Sequence, residues 1–503
     1  MAAATMELDA EEQLETQTRS ARQIALQAIL LGILADNAFR SALEGFGWTI
    51  WVAALAIATV LVVRYRSQTL RSEQTVWLLV AVACAFGVAM RAAEPLLQLN
   101  VLGTLIALAM FTMVSVGRPA TSIFTSRLRD AFAAWIYAAR DGLLGTFGLF
   151  RDADMGTALR SSATARKPAL RALVLTLPLF VVFTALLSRA DPVFGAIFRL
   201  PDVQLEEIAS HLMLGGFFAW ISAGWMRGAL LPTTGRAAWT GQLPVKLGMT
   251  EITSSLGAVL GLFAVFVAIQ LRWLFGGADV VQATTGLSVA EYARRGFFEL
   301  VTVAALVLPL ILGTRALIDD DAVIRRHARL SVALLVLLGA IMTSAALRMQ
   351  LYVSHFGLTS DRLFALVFMM WLAIVFVGLG LTVLRGWQRP FAAITAVSGF
   401  ATLFALTIAN PDRIVANVNL NRTAAALPVD YEYLSRLSGD AAPLVARALV
   451  QAEASPGACN AARRLRQRGL ERAGVRQANV GARGYVAALQ TITSRDLQRL
   501  CAE

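Results

Sequence analysis

Along most of this chain apolar residues come in unbroken runs, not on one face of a helix or strand, and each run closes on a short polar turn. A helix needs roughly 20 mostly apolar residues to cross a hydrocarbon layer. On that measure the runs are 24–34, 45–63, 75–90, 96–116, 170–187, 208–231, 256–275, 297–317, 330–347, 363–384 and 391–408. The pattern predicts an all-α fold, a polytopic transmembrane helix bundle of about 11 spans. The first run is short and stops at Asp36 and Asn37, so it reads either as a brief span or as a re-entrant helix.

Three segments fall outside the runs. Residues 1–21 form a polar N-terminal tail, and 117–169 a long connection between spans. Within that connection AFAAWIYAARDGLLGTFGLF (131–150) is apolar and aromatic, with Arg140 and Asp141 in the middle. It reads as a helix lying in the headgroup region, with a partner-binding cytoplasmic helix as the alternative. After 409 the composition turns polar, and 410–503 reads as a small extramembrane helical domain behind the bundle at 22–409. Asp440 is expected to cap a helix through Pro443 and Leu444, and Ser494 to cap the final TSRDLQRL.

Composition agrees with the pattern: of 503 residues 57% are apolar and only 16% charged, whereas soluble domains carry about a quarter charged residues. The net charge of +12 resides largely in the turns. Arg64, Arg66 and Arg71, the 117–169 connection, then Arg227, Arg236 and Lys246, then Arg315, Arg325, Arg326 and Arg329, then Arg385 and Arg389 all fall on one side if eleven spans are counted. That is the positive-inside pattern, and it argues against nucleic acid as a partner. It puts the N-terminus in the cytoplasm and the C-terminal domain outside.

Little in the chain has the form of a catalytic motif. It contains no Walker loop, HExxH or GxSxG, and three histidines and three cysteines without metal spacing. The reading leans away from an enzyme, with no cofactor or metal expected. Cys84 is expected to be plain packing. Cys459 and Cys501 are either a disulfide of an external tail or two free thiols of a cytoplasmic one. The small pairs Gly224/Gly228 and Gly257/Gly261 are expected to be helix contacts. His211 reads as a satisfied interhelical hydrogen bond.

The polar residues concentrate around 269–300. Glu291, Arg295 and Glu299 are four apart and stack on one helical face, with Arg294 and Tyr292 beside them. Gln270, Arg272, Arg348, Tyr352 and Arg362 are expected at the same depth on neighbouring spans, with 269–300 an external hairpin. Two readings stay open: a salt-bridged collar that fixes helix register, or an outward-facing pocket whose surplus arginines take an anionic or zwitterionic group.

The strings FVAIQLRWLFGG (266–277), EYARRGFFEL (291–300), LYVSHFGLTSDR (351–362), NPDRIVANVNLNR (410–422) and VDYEYLSRLSGDAAPLV (429–445) carry a resemblance, with RADPVF (189–194) alongside. Over 191–445 the chain resembles the bacterial multi-pass family domain of unknown function 4173 (4153-like). The resemblance implies a multi-pass protein of the bacterial inner (cytoplasmic) membrane and names no ligand. The expected role is non-enzymatic envelope sensing or a scaffold for another membrane or signalling protein, with membrane lipids as the other partners. The alternative is a transporter or lipid-handling protein.

Overall fold

The computed structural model describes residues 2–40, 46–116, 122–124, 128–153, 205–231, 247–285, 297–387, 389–421, 428–473 and 479–502. Among them every regular element is a helix. Among the described residues nine helices are long and apolar enough to cross a membrane, and they coincide with nine of the eleven apolar runs. The run at 24–34 instead lies inside a single 39-residue helix, α1 (Ala2–Arg40), which also takes up the polar N-terminal residues. The run at 170–187 lies outside the described residues. The chain is a multi-pass helical membrane protein.

It divides into two compact units, the first made of residues 1–82, 106–118 and 134–236. Here α1 runs along α6 (Leu205–Leu230) and beside α2 (Phe46–Tyr65). Glycine lets α1 and α6 approach: a Cβ on Gly32 would come within 2.7 Å of the Ala219 Cβ. The Phe39 and Phe218 rings stack at 4.8 Å, and Trp51 meets Phe218 edge-on at 4.9 Å. The connection after α3 (Ser72–Met90) and α4 (Glu94–Val116) contains the expected helix, α5 (Leu128–Asp152). It meets α6 at Gly145 and Gly224, where no side chain intervenes. Trp220 Nε1 donates to the Leu143 carbonyl at 2.8 Å, and Arg227 Nε donates to Asp152 Oδ2 at 2.7 Å. Leu143, Leu144, Phe147 and Phe150 stay exposed.

The second unit holds residues 83–105, 119–133 and 237–503. Its apolar core lies between α7 (Met249–Thr285), α8 (Phe297–Ala316), α9 (Asp321–Phe356), α10 (Ser360–Leu381) and α11 (Arg389–Ala409), with Phe263, Ile311, Leu338, Leu372, Leu379 and Phe391 buried together. Polar signals set the ends of α9. Asp320 accepts from the Ala322 and Val323 N–H groups at 2.7 and 3.1 Å, and Gly357, at φ 83°, ends the helix. Two expectations are corrected here. Helix α7 does not stop where its apolar run does but continues through 276–285 to Thr285, because GGADVVQATT contains no proline to break it. A side chain at Gly257 or Gly261 would meet nothing within 4 Å among the described residues, whereas Gly224 and Gly228 lie against Asp141 of α5.

Residues 410–503 belong to this second unit. They fold as α12 (Pro411–Leu420), the single turn α13 (Tyr431–Leu434), α14 (Ala442–Gln451), α15 (Pro456–Ala473), α16 (Arg483–Thr491) and α17 (Ser494–Leu500). Asn410 starts α12 in the left-handed region at φ 62°, its side chain accepting from the Arg413 N–H, with Pro411 in the first turn. The tail has its own core of Val415, Leu434, Val445, Leu449, Leu465 and Ile492, and Leu358 from the α9–α10 turn is buried in it. Asn419 grips the backbone of Leu358 on both sides, accepting its N–H at 2.9 Å and donating to its carbonyl at 2.7 Å. Cys459 and Cys501 are joined by a disulfide with a Cα–Cα distance of 5.0 Å, tying α15 to the end of α17.

Candidate functional site

Asp440 joins the tail to the α3–α4 turn. Its side chain is 3% exposed, and it accepts from the Ala92 N–H at 2.7 Å and from Ser438 Oγ at 3.3 Å, with Arg91 Nη1 3.5 Å away. It does not cap a helix as its position suggests: α14 begins at Ala442 with Ala441 as its cap and no side-chain bond. Its oxygens are spent on a long-range contact instead. Asn479 reinforces the same turn, donating to the Val88 and Arg91 carbonyls, and the Val480 N–H donates to the Ala89 carbonyl at 2.9 Å. The last helix is capped one residue before the expected Ser494, by Thr493. Asp496 lies three residues on and completes a capping box.

Between the helix ends and the tail lies a cavity of about 880 Å³. The helix ends contribute Ala92, Glu94, Pro95, Met349, Tyr352 and the first residues of α10, Ser360 to Arg362. The tail contributes Asp412, Tyr433, Arg436, Ser438, Arg468, Glu471, Arg472 and Tyr485 among others. Burial of this size is in the range of sites for small organic ligands, about 300–1,000 Å³.

Local bonds orient the polar lining. Ser360 Oγ donates to Asp412 Oδ1 at 3.0 Å, the Ser438 N–H donates to Asp412 Oδ2 at 2.9 Å, and the Ser360 N–H donates to the Tyr433 hydroxyl at 3.0 Å. Two arginines are each held against a tyrosine ring, one on each wall. Arg362 lies 4.3 Å from the Tyr352 centroid and donates to the Gly357 carbonyl at 2.8 Å. Arg468 lies 5.4 Å from the Tyr485 centroid and donates to its hydroxyl at 3.0 Å. A guanidinium over an aromatic face gains cation–π energy and loses rotamer freedom, so both forks are preset.

Burial pushes the Asp440 carboxyl above its ordinary value of 3.8, the bonds from Ala92 and Arg91 offsetting only part of it; burial likewise raises the Tyr433 and Tyr485 phenols. Between 3.8 and its raised folded value, Asp440 binds more proton in the folded chain than in the unfolded one. Its contribution to stability therefore falls as pH rises through that window and is full below it. The expected result is that Asp440→Asn flattens this part of the curve, measured as thermal midpoint against pH for both proteins.

Of the residues expected at a polar site, Tyr352 and Arg362 line this cavity together. Glu299, exposed in the first turn of α8, and Arg348 do not. Gln270 and Arg272 lie in α7, but their side chains are outside the described residues, as are Glu291, Tyr292, Arg294 and Arg295 altogether. In the first unit His211 Nδ1 pairs with Asp36, which also accepts from Arg40 Nε at 2.6 Å. The expected interhelical bond is there, in a small ionic cluster at the end of α1. Cys84 is buried and unbonded.

The tail's half of the cavity was not legible in the sequence. A signal was present for part of it, since Asp412, Tyr433, Arg436 and Ser438 lie in the two strings after 409 that carry the resemblance.

Residues 75–448 match the family described as Domain of unknown function (DUF4153). The chain belongs to the DUF4153 family. The number 4173 suggested by the resemblance is corrected accordingly. The match covers the helix-end wall of the cavity and the tail through α13 and most of α14, whereas Arg468, Arg472 and Tyr485 lie beyond it. No curated protein and no solved structure matches the chain.

Proposed function

We propose that this DUF4153 chain is a non-enzymatic inner-membrane receptor of the bacterial envelope, which senses a polar ligand or partner in the cavity under its external tail. The observation that carries the reading is that the cavity has two walls, one from the ends of membrane helices and one from the tail. An occupant touching both walls favours the docked tail by its differential affinity for that state, which is the elementary requirement for a sensor. The disulfide Cys459–Cys501 supports an external tail, because structural disulfides persist in oxidising compartments. The contacts of the tail with the 91–93 and 357–359 turns also support it, since the eleven-run reading puts both turns on the external side.

A transporter reading has less support. Such proteins commonly hold their substrate near the bilayer midplane, whereas this cavity is lined by residues at the ends of the spans.

The test uses the exposed lining residues Arg436 and Glu471. Arg436→Gln combined with Glu471→Gln is expected to leave the amount of folded protein in the membrane unchanged and to reproduce the cellular phenotype of deleting the chain. A double variant that complements the deletion fully, with Arg468→Gln doing the same, would overturn the receptor reading.

A further inference from the structure

The chemistry of the lining narrows the ligand class, on the footing of the receptor reading above. The cavity wall carries Arg362, Arg436, Arg468 and Arg472 together with Glu94, Asp361, Asp412 and Glu471. A compact multivalent anion would meet four carboxylates, and a polycation would meet four guanidinium groups. A ligand rich in hydroxyls suits both, because each hydroxyl donates to a carboxylate and accepts from an arginine. The volume, about 880 Å³, is also far more than a lone phosphate or carboxylate group needs.

The arginines add one further requirement. Arg468 donates to the Ser435 and Leu437 carbonyls and the Tyr485 hydroxyl through Nη1 alone, so among the described residues its Nε and Nη2 have no partner. Asp412 is already satisfied by Ser360 and Ser438, and Arg436 is balanced from outside the cavity by Glu432 at 2.5 Å. A guanidinium fork held on a tyrosine, in a residue that lines a cavity, suits a planar or tetrahedral oxyanion.

We propose that the cavity binds a hydroxylated ring carrying one phosphate, a sugar phosphate or polyol phosphate, with the phosphate on Arg468 and the ring hydroxyls among the carboxylates. The same chemistry is offered by a free sugar phosphate and by a lipid headgroup. The position of the cavity at the span ends admits either.

The experiment uses the full chain in nanodiscs of neutral lipid, titrated with myo-inositol 1-phosphate, myo-inositol and inorganic phosphate, and in parallel nanodiscs containing phosphatidylinositol. The expected result is that inositol phosphate, free or as the headgroup, binds at least about tenfold more tightly than inositol or phosphate alone, since each half contributes on the order of a charge-assisted bond. Tightest binding of the free form assigns a soluble ligand, and stabilisation by phosphatidylinositol alone assigns a lipid. Arg468→Gln is expected to abolish the preference. Arg436→Gln, at an exposed and foldable position, is expected to weaken it severalfold, and Arg413→Gln, an exposed residue away from the lining, to leave it intact. Binding of inorganic phosphate as tightly as inositol phosphate, or of neither, overturns the proposal. Tight binding of a zwitterionic dipeptide instead overturns the ligand class and leaves the receptor reading standing, whereas full complementation by the cavity variants removes the receptor reading itself.

Discussion

Asp440→Ala is expected to release the tail from the α3–α4 turn, with a loss of about 1–3 kcal/mol in docking stability. The substitution removes the acceptor of the Ala92 N–H at 2.7 Å and the carboxylate 3.5 Å from Arg91, which keeps its bonds to the Thr407 and Ile408 carbonyls. A part-buried donor without its acceptor costs more than an average surface bond contributes. The tail core remains intact in the variant, because Val445, Leu465 and Ile492 do not depend on Asp440. The expected signature is therefore faster amide exchange at Ala92 and a lower thermal midpoint for undocking, with the helicity of 428–502 unchanged. Arg413→Ala serves as the control; this exposed residue should change stability by no more than about 0.5 kcal/mol.

Breaking the Cys459–Cys501 bridge is expected to cost more. The two residues are 42 apart, and in the chain-entropy account closing a loop of that length stabilises by about 4 kcal/mol. Cys501→Ala is expected to lower the unfolding midpoint of the tail, and reductant to lower the native protein to a similar level while leaving the variant unaffected. In denatured protein prepared without reductant, a thiol reagent should modify Cys84 alone; after reduction it should modify all three cysteines. Three reactive thiols without reduction would place the tail in a reducing compartment and remove a support of the external reading.

Hydropathy made the bundle legible because a membrane span is a local property: twenty apolar residues suffice, whatever their neighbours do. The nine described spans fall where the runs fall. Helix ends were less legible. The 276–285 stretch is polar enough to look like a turn yet contains nothing that stops a helix, so α7 continues through it. At 493–496 the deciding mark was the acidic residue three positions after Thr493, where Ser494 has Leu497 at the same spacing.

The site was only half legible, for a different reason. Tyr352 and Arg362 stand beside a span end and could be guessed from depth alone. Their partners come from the tail, and the bond that seats the tail joins residues 348 positions apart. No periodicity marks such a pairing. Asp440 in particular carries a strong local signal, an acid just before Pro443, that points to a cap. Its burial and its hold on Ala92 appear only once the chain is folded.

The central claim is that the tail and the membrane-helix ends build one cavity. The most direct test is an experimental map of the full chain in lipid nanodiscs. The expected result is Leu358 seated in the tail core, Asp440 on the Ala92 N–H, and an open polar cavity between Arg362 and Arg468. A map in which residues 428–502 stand detached from the 91–93 and 357–359 turns would contradict it.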